Sequence, residues 1–305
     1  MKKKRKGILT DIIRDRYLYL MLLPVLVYYA LFYFKPLEGI KMAFMDYKPF
    51  LGLEGSKWVG WEHFVTYLTG PYFKRTFFNT IILSLLNLAF CFPAPILLAF
   101  LFNEVRQKKA RTIYQTVSYL PHFISTVVVC GIAINFLSPA DGLINILIEK
   151  FGGESIYFLT KPEYFRTIYI LLNIWQGTGF SSIVFYSALC GVDTSLYEAV
   201  ALDGGGRLRQ LWHVAIPTIV PTIVVMFIMR LGNILSIGGE QIILLYQPTT
   251  YKTADVISSY VYRVGIEGGS YSYSTAVGLF NGVTSLILVL IANKISKKVS
   301  EASII

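Results

Sequence analysis

Residues 76–103 read TFFNTIILSLLNLAFCFPAPILLAFLFN and contain no Asp, Glu, Lys or Arg. A helix needs about 20 mostly apolar residues to cross the roughly 30 Å hydrocarbon core of a bilayer. This stretch is long enough. Residues 17–34, 112–140, 167–192 and 268–293 are equally free of charge, and 210–239 carries Arg230 alone. Six spanning helices are expected, at about 17–35, 76–102, 112–136, 166–190, 215–237 and 273–293, the first being the shortest. Composition agrees. Of 305 residues 54% are hydrophobic and only 15% charged, against about 25% charged in soluble domains. The expected fold class is an all-α polytopic membrane protein. Pro24, Pro93, Pro95 and Pro121 fall inside spans, where a missing N–H bends a helix.

The loops set the orientation. Sixteen basic and seven acidic residues lie before span one, between two and three, between four and five, and after six. The opposite loops hold 11 of each sign, and Arg230 completes the formal charge of +10. Basic residues stay on the cytoplasmic side, so both termini are expected there. The pI of about 9.3 is then a topology signal, and no nucleic-acid partner is expected. Three regions follow: a cytoplasmic amphipathic segment at 1–16, a spanning domain at 17–293 and a cytoplasmic tail at 294–305. No A-x-A site follows the first apolar run, so it reads as a retained helix. On the outer side WVGWEHFVTYL (58–68) has the Trp-rich, amphipathic look of a helix at headgroup level.

The longest cytoplasmic motif is YEAVALDGGGRLRQLWHVAIP, residues 197–217. Residues 193–203 suit a short helix capped by Asp193 or Thr194. Glu198 and Leu202 share one face. Gly204 to Gly206 permit a sharp turn with positive φ, and a second helix over 207–216 reaches Pro217 at the membrane. Glu198, Ala199, Asp203 and Gly204, closed by Ile216 and Pro217, resemble the signature of permeases in binding-protein-dependent ABC importers. Val200 stands for the usual second alanine and Ile216 for the usual leucine. YLPHFIS (119–125), GTGFSS (177–182), YSYSTAVGLF (271–280), FFNTIILSL (77–85) and LYQPTTYKTADVISSYVYRVG (245–265) are similar to the complex-carbohydrate branch of the maltose-type sugar permeases.

The resemblance implies a type I importer permease fold in a bacterial cytoplasmic membrane. It implies docking of the first short helix into a cleft of an ATPase subunit, with Glu198 bonding there, Gly204 making the turn and Asp203 fixing it. It also implies a second homologous permease, two ATPase subunits and an extracellular solute-binding protein. ATP and Mg would be held by the ATPase subunits. This chain has no G-x-x-x-x-G-K-[ST] loop, and no cofactor of its own is expected.

Polar groups inside spans tend to face the interior. Asn173, Trp175 and Gln176 combine two amides with an aromatic face and are the leading candidates for contact with sugar, followed by Tyr186 and Asn233. Asn87, Asn135, Ser181, Ser182 and Asn281 are further polar positions. Arg230 fits snorkelling, an ion pair, or contact with an acidic sugar or the external binding protein. The three cysteines and three histidines show no local metal-ligand spacing, and no nucleophile–base set suggests an enzyme. An ion-coupled transporter would need a carboxylate near the midplane, and no Asp or Glu lies within a span. An oligosaccharide or related sugar is the expected cargo; a peptide or amino acid is the alternative.

Overall fold

The computed structural model describes residues 15–299 other than 233 and 236. The expected segment at 1–16 and the tail at 294–305 lie largely outside them. The first helix, α1 (Arg16–Phe44, 29 residues), is not the shortest span. It runs past Phe34 through a 3₁₀ stretch, Lys35–Phe44. None of its first fourteen residues is buried in the chain. Strand β1 (Met45–Asp46) pairs antiparallel with β2 (Lys57–Trp58), a small departure from an all-helical chain. The expected Trp-rich helix is α2 (Glu62–Thr69), which turns Phe64 and Tyr67 inward and leaves Trp58 and Trp61 exposed.

Helix α3 (Pro71–Glu104, 34 residues) is the second span. Pro93 and Pro95 cannot donate to the preceding turn, and a π-helical turn at Asn87–Cys91 takes up the mismatch. The third span is not one rod. Helices α4 (Lys108–Phe123) and α5 (Thr126–Phe136) meet at 99°. Pro121 sits in a 3₁₀ turn, Ile124 is extended, and Ser125 restarts the helix by accepting the Val128 N–H. The described residues therefore hold five continuous apolar helices of spanning length, and six spans when the bent pair counts as one.

After α6 (Leu143–Lys150) comes α7 (Pro162–Cys190, 29 residues). It lies against α4 backbone to backbone: a Cβ at Gly179 would come within 1.8 Å of the Ser118 carbonyl oxygen. Helix α8 (Thr194–Leu202) precedes α9 (Arg207–Gly232, 26 residues). The expected helix at 207–216 is thus the first part of the fifth span. A π-helical turn at Leu211–Ala215 accommodates Pro217. The helix is described as far as Gly232, and residues 234 and 235 form a turn, short of the expected 237. Helices α10 (Gly239–Leu245), α11 (Ile257–Tyr262) and α12 (Tyr271–Val299) complete the chain.

The apolar packing forms separate cores at the two ends of the bundle. At the end carrying α8, Ala99, Phe185, Leu189, Ala215 and Ile219 pack together. At the far end, Leu83, Cys130, Phe165, Tyr169, Ile242 and Val256 belong to a second cluster. The far end is closed by charge as well. Asp255 is fully buried; Arg75 and Arg263 each reach its Oδ2 at 2.7 Å, and the Ser259 hydroxyl donates to its Oδ1 at 3.0 Å. Burial opposes the charge on Arg263, but the Asp255 carboxylate outweighs it and holds the guanidinium above its ordinary range. The Asn79 amide donates to the carbonyls of Lys252 and Asp255 at 3.1 Å, so α3 holds the whole 252–263 stretch. Removing one partner of a buried pair costs about 3–5 kcal/mol. Asp255→Ala is expected to lose stability on that scale, seen as a lower midpoint in thermal unfolding of the purified membrane protein followed by tryptophan fluorescence.

Candidate functional site

The turn after α8 is built from its own backbone. Gly204 has φ +74°, the left-handed conformation that glycine adopts without cost. The Gly205 N–H donates to the Val200 carbonyl at 2.8 Å and the Gly204 N–H to Ala201 at 3.0 Å. This pair of bonds is the Schellman helix stop. At the other end Asp193 caps α8 by accepting the Ser195 N–H at 2.9 Å, which holds its carboxyl below the usual range. Gln210 on α9 donates to the Tyr197 carbonyl at 3.1 Å. The two helices are thereby braced against each other.

What this bracket presents outward is different. Glu198, Ala199, Asp203 and Gly204 are all exposed. The Glu198 and Asp203 carboxylates take no partner among the described residues. Leu202 is 89% exposed and Leu208 74%. A short helix with apolar tips and free carboxylates, held on a stiff turn, is a docking element.

A polar region lies between the two apolar cores. One cavity of about 170 Å³ is lined by Ser84, Asn87, Tyr169, Asn173 and Arg230 among others. A second, of about 410 Å³, is lined by His122, Asn173, Thr178, Ser181 and Arg230 with apolar neighbours. They share Asn173 and Arg230, and the larger falls within the roughly 300–1,000 Å³ common for ligand pockets. Asn173 donates to Gln241 Oε1 at 2.9 Å and to the Tyr169 carbonyl at 2.8 Å. Arg230 donates through Nη2 to Asn87 Oδ1. No carboxylate pairs with it among the described residues. His122 stacks flat on Phe180 with ring centroids 4.1 Å apart.

The sequence candidates separate here. Asn173 lines both cavities. Gln176 lies on the same side of α7, but its amide is spent on the Ile124 carbonyl at 2.9 Å, the group freed by the 99° break. Trp175 is two residues from Asn173 and so about 200° around the helix; it is 46% exposed on another face. Tyr186 is nearer the α8 end, packed beside the inner core with the Arg111 guanidinium 5.6 Å above its ring. Asn233 lies outside the described residues. His122, Thr178 and Gln241 join the site unforeseen. For His122, its place beside Pro121 in a span was the available signal.

A bundle of spanning helices with an exposed docking bracket at one end and a polar cavity partway along its length is a membrane permease. The chain belongs to the family of binding-protein-dependent transport system inner membrane components, whose model matches residues 67–300. It is 47% identical over 99% of its length to the polygalacturonan/rhamnogalacturonan transport system permease protein YteP of Bacillus subtilis (strain 168), covering 94% of that protein. It is 44% identical to protein LplB of the same organism, over 93% of this chain and 90% of that one. Among solved structures, a chain of a bacterial ABC transporter involved in the import of the acidic polysaccharide alginate superposes with a TM-score of 0.90. The identity there is 47%, covering 97% of this chain and 100% of that one. A second match, at TM-score 0.90 and 46% identity over 98% of this chain and 100% of that one, is to the alginate transporter in complex with an alginate pentasaccharide-bound periplasmic protein. The chain is thus a multi-pass inner-membrane transport subunit and not an enzyme.

The link between the broken span and α7 is directly testable. Gln176→Leu leaves the partly buried Ile124 carbonyl unpaired, which costs up to about 1–3 kcal/mol, the range for a fully buried acceptor. A lower thermal midpoint is expected, together with faster amide hydrogen exchange over residues 120–128.

Proposed function

We propose that this chain works as one of two permease subunits of an ATP-driven importer and passes an oligosaccharide by alternating access. The observation that carries the reading is the exposed bracket at 193–210, rigid within itself, whose Glu198 and Asp203 carboxylates have no partner among the described residues. In this reading two ATPase subunits, which would bind ATP and Mg, dock on the cytoplasmic side against Glu198, Ala199, Leu202 and Asp203. Their closure pushes α8. The braced turn passes the displacement into α9, whose far part carries Arg230 beside the polar cavity. Both termini are then cytoplasmic, as the distribution of basic loops favours.

An extracellular solute-binding protein delivers the cargo to the far end, and a second homologous permease supplies the other wall of the pathway. The relatives named for polygalacturonan, rhamnogalacturonan and alginate support a saccharide over a peptide or amino acid. Asn173 is the pathway residue favoured most by its position. Gln176 and Tyr186 have structural partners, and Trp175 faces away from the cavities within this chain.

Co-purification with a tagged copy, followed by ATPase assay in the presence of the binding protein, tests the reading. The wild type is expected to retain an ATPase and a second permease. Gly204→Pro breaks the positive-φ turn, and Glu198→Ala removes the docking carboxylate. Each is expected to lose ATPase retention or its stimulation, Glu198→Ala by at least about tenfold for the loss of one charge-assisted hydrogen bond. Purification of the wild type alone, with transport in vesicles that needs no ATP, would falsify the importer assignment.

A further inference from the structure

We propose that Arg230 reads the acid group of the cargo: the polar cavity is a carboxylate site, and the sugars it admits best are uronic-acid oligosaccharides. This rests on the importer reading above and goes beyond it by assigning the charge selection to one side chain of this subunit.

Arg230 lies 13 residues beyond Pro217, about 20 Å along α9 at 1.5 Å per residue. Its guanidinium meets Asn87, the first residue of the π-helical turn in α3, close to the midpoint of that 34-residue span. A cation at the centre of a spanning helix costs about 2.5–3.5 kcal/mol on insertion scales; Arg230 stays partly open to its surroundings within this chain. Elsewhere in the chain such a cost is met by a counter-ion: Arg75 and Arg263 share Asp255. Around Arg230 there is none among the described residues, and residues 76–103, 167–192 and 210–239 contain no Asp or Glu at all.

Simple helix-to-helix adhesion accounts poorly for this arrangement. One amide oxygen takes one of the five N–H donors of a guanidinium, and a neutral Gln would make the same bond without the charge. Asn87 instead holds the guanidinium where the two cavities meet, and a carboxylate fits the remaining fork in bidentate geometry. The rest of the lining suits the sugar. Asn173 lines both cavities with its amide N–H groups spent on Tyr169 and Gln241, which leaves its carbonyl oxygen as the group to meet a hydroxyl; the Thr178 hydroxyl is buried without a partner among the described residues, and His122 offers a flat face stacked on Phe180. All these groups are neutral or weakly basic, so among the described lining residues a carboxylate entering the cavity meets a single fixed positive charge and no negative one.

The test uses the assembled importer in proteoliposomes, with this chain, its partner permease, the ATPase pair and the binding protein. The probes are labelled trigalacturonate and its full methyl ester, in which each carboxylate is replaced by a neutral ester of similar size. A charge-assisted bond is worth about tenfold or more. Arg230→Gln is expected to lower the acid-to-ester uptake ratio by about that factor, and Arg230→Lys to keep it within about threefold. Saturation-transfer NMR on the nanodisc-embedded wild type without the binding protein removes that protein's own selectivity and does not depend on a variant assembling. There the acid is expected to bind better than the ester by about tenfold. An unchanged uptake ratio in Arg230→Gln, equal loss of both probes in both variants, or equal binding of both probes by the wild type would overturn the proposal. Failure of the wild type to take up any saccharide with ATP would instead bring down the importer reading, a result read from the wild type alone.

Discussion

The buried carboxylate of Asp255 fixes the far end of the bundle. Its two guanidinium partners come from the start of α3 and from the stretch after α11, segments 180 and 8 residues away in sequence. Once they meet, the 246–263 stretch becomes a lid over α3 and α7, with Asn79 bonding the lid backbone from beneath. Ion pairs buried this deeply do little for net stability compared with apolar packing. Their value lies in register: one placement of the three side chains satisfies all of them. The far-end core and the position of α10 against α7 depend on that placement.

The bilayer imposes the complementary constraint, because irregular backbone at membrane depth is tolerated only where protein or a cavity satisfies it. Two irregularities within the spans obey this, and a third, outside them, satisfies itself. The break at Ile124 is repaired by Gln176. The π-helical turn at Asn87 carries the side chain that holds Arg230. The turn after α8 uses its own carbonyls. The two departures at Ile124 and Asn87 thus each sit beside a polar side chain and near the cavities. That coincidence explains why the bundle has apolar cores at its ends and a polar zone between them.

Much of this was readable from the chain, and the rest was hidden for definite reasons. Charge-free runs revealed the spans because the cost of charge in lipid is large and local. The bracket was readable because Asp193, Gly204 and Gly205 act within a dozen residues of one another. The 99° break was only half visible: Pro121 announces a bend, but 112–140 is uniformly uncharged, so hydropathy cannot give its angle. Asn87 and Arg230 are 143 residues apart, and no local pattern joins them. The grouping of Trp175 with Asn173 failed a test the sequence did offer, since two residues on a helix point to opposite sides. Nothing local in the sequence marks Asp255, whose partners Arg75 and Arg263 meet it only in the folded chain.

The length of α9 has an evolutionary consequence. From Arg207 to Arg230 is 23 residues, about 35 Å of helix, so the docking bracket and the cavity lie at opposite ends of one rod. Sites that far apart with no shared partners vary almost independently in their energetic effects. Lineages carrying this architecture are free to trade cargo by altering side chains around the cavity while keeping the same motor, or to pair with a different motor while keeping the same diet. The only trait both must preserve is the straightness of the shaft between them.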